Sequence, residues 1–149
     1  MSIDEQQFCT FFIDSLFFGV NVQRVQEVLR AQEMTRVPLA PPVVNGLINL
    51  RGQIVTAIDL RRRLELRDRA SDRAPMNVVV RTDDGAVSLV VDEIGDVLNV
   101  PMSTFEPPPE TVTGVARQLV RGIHKLDQRL LLILDIGRTV DLSSARKRD

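Results

Sequence analysis

The chain has 149 residues, 44% hydrophobic and 26% charged, a globular composition in which a chain of this length buries roughly 70% of the surface it exposes when unfolded. Nineteen Lys and Arg against 20 Asp and Glu leave a net charge of -1, so no overall field favours nucleic acid or anionic lipid. The length suits one domain or two small, closely packed halves; it excludes a multidomain enzyme, and the composition excludes disorder as the main state.

The start, Met1 to Gln7, is acidic and polar, without the basic opening and apolar core of a signal peptide, and no apolar stretch approaches 18 residues. The expectation is a reducing cytoplasm. Cys9, the single cysteine, cannot form an internal disulfide or supply a structural zinc site, and the apolar run around it predicts a buried core thiol.

In chain order, Phe8 to Ile13 and Phe17 to Val22 read as strands around Asp14-Ser15. Asn21 is a good helix cap, and Val22, Val25, Val28 and Leu29 fall on one side of a short helix over residues 22–29, with Gln23, Arg24, Gln26 and Glu27 mostly outward. Its β-branched valines leave tertiary packing to hold it. Further strands are predicted near Thr35 to Val37, over Gly46 to Leu50, over Ile54 to Ile58 and over Asp96 to Val100. Leu60 to Pro75, with six arginines interleaved with Glu65, Asp68 and Asp72, reads as a solvated connection.

Val78 to Val80 and Val87 to Val91 flank Asp83-Asp84-Gly85, the signal of a tight hairpin whose central residues need positive φ. Pro101 to Pro109 ends in three prolines and reads as a stiff surface loop. Gln118 to Leu126 and Arg129 to Asp135 form a third strand pair, followed by a short C-terminal helix over Ile136 to Leu142 and a fraying tail from Ala145 to Asp149. The class is mostly β. Its expected core holds Phe11, Ile13, Val20, Ile48, Ile58, Val79, Leu89, Val91, Leu132 and Leu134.

Catalytic sets are hard to assemble. His124 is the only histidine and reads as a structural strand residue; no nucleophile elbow, phosphate loop or dinucleotide fingerprint is present. The expectation is no metal, no cofactor and no enzyme. One rival reading uses Asp59, Asp92 and Asp135, each ending an apolar run, as magnesium or phosphate ligands of a doubly wound sheet. It needs crossover helices for which the Asp83-Asp84-Gly85 hairpin leaves no room, so each aspartate is read as capping the turn that follows. Arg51, before Gly52 and after the apolar run Leu47 to Leu50, suits either a planar contact with a partner or an internal salt bridge.

In order and spacing, several segments together resemble the CheW family, adaptors that couple bacterial chemoreceptors to the chemotaxis histidine kinase CheA. They are Phe17-Phe18-Gly19-Val20-Asn21-Val22 leading to Val25-Gln26-Glu27-Val28, Thr35-Arg36-Val37-Pro38, Pro41-Pro42-Val43-Val44-Asn45-Gly46, and Asn49-Leu50-Arg51-Gly52 with Ile58-Asp59-Leu60-Arg61. Leu89-Val90-Val91-Asp92 with Asp96-Val97-Leu98, and Gly122-Ile123 with Leu132-Ile133-Leu134-Asp135, complete the set. The resemblance implies one CheW-like domain over residues 1–149, made of two five-stranded SH3-like barrels on a shared apolar seam, without catalysis. It implies a receptor-facing surface of Val25, Glu27, Val28, Arg51 and Val97, and a kinase-facing one of Asn45, Gly46, Glu106 and Glu110. The implied partners are chemoreceptor tips and the CheW-like domain of CheA, at membrane-associated arrays but with no membrane insertion and no nucleic acid. A CheW-like adaptor of a pilus, biofilm or second-messenger pathway is the alternative. Ser88 and Gln128 depart from positions where the family often has glycine.

Overall fold

Most strands of this chain are apolar on both faces, and the architecture follows from where each face goes. The computed structural model describes residues 4–70 and 73–143. Its strands are β1 (Glu5–Ile13), β2 (Leu16–Asn21), β3 (Val25–Arg30), β4 (Val44–Leu50), β5 (Gln53–Asp59), β6 (Met76–Thr82), β7 (Gly85–Val91), β8 (Glu93–Pro101), β9 (Phe105–Glu106), β10 (Val120–Lys125) and β11 (Leu130–Leu134). Three short helices join them, α1 (Leu60–Arg63), α2 (Gly114–Leu119) and α3 (Ile136–Val140).

One sheet runs β8-β1-β2-β11-β10-β9 and the other β3-β6-β7-β5-β4. Pairing is antiparallel except for β2 with β11 and β5 with β7. The chain itself links the edges of each sheet: a single 3₁₀ turn separates β8 from β9, and between β3 and β4 Thr35 bridges to Leu47. The mostly β expectation holds. The first sheet has a sixth strand, the two-residue β9, where five were expected.

Alternation along each strand feeds two cores at once. Phe11, Ile13, Phe18, Val20, Leu132 and Leu134 of the first sheet meet Ile58, Val78, Val80, Leu89 and Val91 of the second in a shared seam. The opposite faces supply two separate interiors, Phe8, Phe17, Val100, Leu131 and Ile133 in the first sheet and Ile48, Leu50, Val55, Ala57, Val79 and Val90 in the second. Every residue of the expected core is buried.

The helix over 22–29 is corrected. Asn21 does cap, its Oδ1 accepting from the Gln23 amide (2.9 Å), but only a 3₁₀ turn follows before the valines enter β3. β-Branched residues fit a pleated strand better than a helix, and β3 pairs with β6. Gln26 is the extra residue of a bulge there, so Val25 and Val28 lie opposite Val80 and Val78, whose side chains fill the seam.

Cys9 is half-buried rather than a core thiol, and burial raises its pKa. The hairpin after Thr82 carries positive φ on Gly85 (112°) and not on the two aspartates, so one glycine satisfies the turn. The predicted strand from Gln118 begins instead as α2. The tail 145–149 and Asp72 lie outside the described residues.

The segment 60–75 is not simply solvated. Arg61 and Arg63 of α1 are buried. Arg61 grips Asp92 with two nitrogens (2.8 and 2.7 Å), also reaches Asp14 in the β1–β2 turn, and donates to the Arg67 carbonyl (3.0 Å). Arg69 adds a further bond to Asp92 (3.0 Å). Arg63 donates to the carbonyls of Thr139 and Arg138 (2.9 Å each), satisfying the end of α3. Through its arginines α1 fastens the second sheet to the first. The other two aspartates act as caps, Asp59 accepting from the Arg61 amide and Asp135 from the Arg138 amide (3.0 Å each).

Candidate functional site

The two residue sets that the resemblance implies occupy different parts of the molecule's edges. Val25, Glu27 and Val28 lie on β3, an edge strand, with Val28 40% exposed. Glu27 sits opposite Val79 and so shares a face with Leu29, not the polar side of a helix. Arg51 and Gly52 form the two-residue turn between β4 and β5; both have positive φ, 51° and 87°. The Asn49 Oδ1 accepts from the Gly52 amide (2.9 Å) and stabilises that turn. From it, the exposed Arg51 guanidinium reaches across to an ion pair with Glu27. This hydrogen bond holds the Glu27 carboxyl below its ordinary range despite some desolvation.

Val97 is 57% exposed on β8, the outer strand of the other sheet, and pairs with Cys9. Cys9 shares its face of β1 with Phe11 and Ile13, so Val97 belongs to the seam face, as Val25 and Val28 do in their own sheet.

Asn45 and Gly46 stand where the second sheet meets the chain between β3 and β4. The Asn45 Nδ2 donates to Met34 Sδ (2.8 Å). A Cβ on Gly46 would lie 2.8 Å from the Thr35 carbonyl oxygen, so glycine permits the Thr35–Leu47 bridge. Beside them opens a groove of about 1110 Å³ whose lining joins apolar side chains, among them Val37, Leu39, Leu47 and Ile54, to polar Thr82 and Asp84. Leu39 is fully exposed at φ 64° and Ile54 is 61% exposed. Neither was expected at a surface; the prolines around Leu39, which bar ladder pairing, are the signal that marks it. Large apolar side chains gathered at a surface mark a contact site.

Glu106 lies on β9, with Lys125 3.6 Å away, and Glu110 is exposed in the loop that follows. Arg117 donates to the carbonyls of Pro109 (2.8 Å) and Val112 (3.0 Å), bracing that loop. Neither acid is drawn to Asn45 and Gly46: Glu106 belongs to the first sheet and Gly46 to the second. Of the departures from the pattern, buried Ser88 donates to Asn77 Oδ1 (2.9 Å), and Asn77 in turn holds the Arg30 carbonyl of β3 (3.2 Å). Gln128 sits in a turn without positive φ, so glycine is not required there.

Among the described residues no group of His, Cys, Asp and Glu is placed to hold a metal ion, and no helix is long and apolar enough to cross a membrane.

Comparison with known proteins converges on one family. A model described as the CheW-like domain matches residues 7–143. The chain is 31% identical to the chemotaxis protein CheW of Bacillus subtilis (strain 168), covering 95% of this chain and 90% of that protein. With the chemotaxis protein CheW of Klebsiella aerogenes it shares 30% identity, over 89% of this chain and 80% of the relative. The solved structure of the scaffolding protein TtCheW from Thermoanaerobacter tengcongensis superposes with a TM-score of 0.78 at 28% identity, covering 87% of this chain and 88% of that one.

Proposed function

The chain belongs to the CheW family of non-enzymatic chemotaxis scaffold proteins, and we propose that it joins chemoreceptor tips to the CheW-like domain of the kinase CheA through a receptor-facing surface and two kinase-facing contacts apart from it. It acts as a single CheW-like unit in the cytoplasm, recruited to membrane-associated receptor arrays, and needs no cofactor.

The observation that carries the receptor-facing half is the ion pair of half-buried Glu27 with exposed Arg51 at the rim of β3, with partly exposed Val28 on the strand's other face. An exposed arginine presented on a tight turn is the residue type enriched at interface centres. Val97, on the seam face of the other sheet, extends the same set. For the kinase-facing half, the support is the groove beside Asn45 and Gly46, with its exposed Leu39 and Ile54. Glu106 and Glu110 form a second kinase-facing contact, the one that builds rings.

Such a scaffold acts by concentration and coupling. Holding receptor and kinase together makes their encounter intramolecular, and a receptor state that binds differently shifts the kinase equilibrium by the same free energy. Glu27→Lys and Arg51→Asp test the assignment. Both leave the melting temperature almost unchanged and weaken receptor-tip binding, while kinase binding is kept. Equal loss of both partners with a large fall in melting temperature contradicts it and assigns the pair to bracing the hairpin.

A further inference from the structure

Residues 104–106 cross the end of β10 as a strap, just before the three prolines. β9 meets β10 through two residue pairs only, Phe105 with His124 and Glu106 with Ile123, too short a ladder to hold by itself. Side chains do the holding. A Cβ on Gly122 would lie 2.3 Å from Phe105 Cζ and 2.7 Å from the Glu106 carbonyl oxygen, so the strap lies directly on that bare backbone. The Phe105 ring meets His124 edge-on at 5.5 Å, and Phe8 backs the imidazole at 5.7 Å. His124 itself is 1% exposed.

The hydrogen-bond geometry around Thr104 bears on the tautomer of the imidazole. Thr104 Oγ1 donates to the Pro101 carbonyl (2.9 Å) and lies 2.8 Å from His124 Nδ1. A hydroxyl has one proton, and a carbonyl can only accept, so the proton on the second bond belongs to Nδ1. With the Thr104 hydroxyl turned to Pro101, this arrangement is completed by the Nδ1–H tautomer of neutral His124, the opposite of the one free imidazole favours. Beyond the strap, Arg117 braces the loop at Pro109 and Val112, so Glu106 and Glu110 are carried between that brace and His124.

We propose that His124 is a positioning residue for this adaptor: its Nδ1–H bond to Thr104 and its contact with Phe105 hold the strap, and through it the placement of Glu106 and Glu110. Its functional consequence rests on the kinase-facing reading of those two acids; the clamp itself does not.

Because His124 is the only histidine, long-range ¹H–¹⁵N spectra of the full-length chain read its tautomer without any variant. The expected result is protonated Nδ1 and unprotonated Nε2; the reverse overturns the proposal. His124→Leu removes the donor, whereas His124→Asn keeps an N–H near the Nδ1 position. Amide exchange over 104–112 rises about tenfold in the Leu variant, with β1 and β7 unchanged, and returns most of the way in the Asn variant. Affinity for the CheW-like domain of the kinase follows the same order, while receptor-tip binding does not move. Unchanged exchange in His124→Leu overturns the clamp. If exchange rises but neither His124→Leu nor Glu110→Lys weakens kinase binding, the kinase-facing reading of the loop fails and the positioning role falls with it.

Discussion

Arg51 occupies a conformation that suits glycine or asparagine better than arginine. At φ 51° a non-glycine residue gives up about 1–2 kcal/mol relative to its preferred regions, and next to Gly52 the turn would close as readily with glycine in both positions. The strain is matched by what the side chain does, since only from this turn does the guanidinium meet Glu27 on the far edge strand. Arg51→Gly is expected to raise thermal stability slightly and to weaken receptor-tip binding about 30-fold, the loss of a central interface arginine. Thermal melts and a titration with the receptor tip check the two halves separately. The sequence singles out Arg51 in Asn49-Leu50-Arg51-Gly52 and Glu27 in Val25-Gln26-Glu27-Val28; that they pair was not legible, because the pairing depends on β3 being a strand. A helix over 22–29 would have turned Glu27 to solvent.

At the scale of elements, the short helix α1 is where charge and packing meet. The Asp92 carboxyl is pushed up by burial, then pulled below its ordinary value by the Arg61 hydrogen bonds, the Asp14 amide (2.8 Å) and the charges of Arg61 and Arg69. A carboxyl lowered on folding contributes stability that is present above its unfolded pKa of about 3.9 and is lost as pH falls through the folded value. Asp92→Asn is expected to cost about 3–5 kcal/mol at neutral pH, because it removes the buried charge that Arg61 grips with two nitrogens and leaves the half-exposed Asp14 as its only carboxylate, and to flatten the acid side of the stability curve. Urea melts at pH 7 and pH 3 measure both. Gly46→Ala is expected to cost about 1–3 kcal/mol by forcing a methyl onto Thr35, seen in the same melts. Most strands and the hairpin at Asp83-Asp84-Gly85 were legible from alternation and turn residues, but β3 read as a helix and β9 as loop, and α1 was not legible at all: an arginine run reads as solvated until the fold supplies Asp92, Asp14 and the carbonyls of α3.

For the whole molecule, the seam shared by the two sheets predicts that they unfold as one cooperative unit. Leu89 and Val91 face the seam while Val90 faces the second sheet's own interior, so loosening β7 exposes both cores. Leu89→Ala is expected to cost about 2–5 kcal/mol and to lower the transition of both sheets together, read as coincident loss of the Val90 and Leu131 methyl signals on heating. A rigid unit with spatially separate surfaces can bridge two partners without their competing. The most direct test is sedimentation velocity of the chain mixed with a chemoreceptor tip fragment and the CheW-like domain of CheA. One ternary species is expected, reduced to a chain–kinase complex when Arg51→Asp replaces the native chain. Displacement of the receptor fragment as kinase is added, with no ternary species at any ratio, would contradict a scaffold that holds both partners at once.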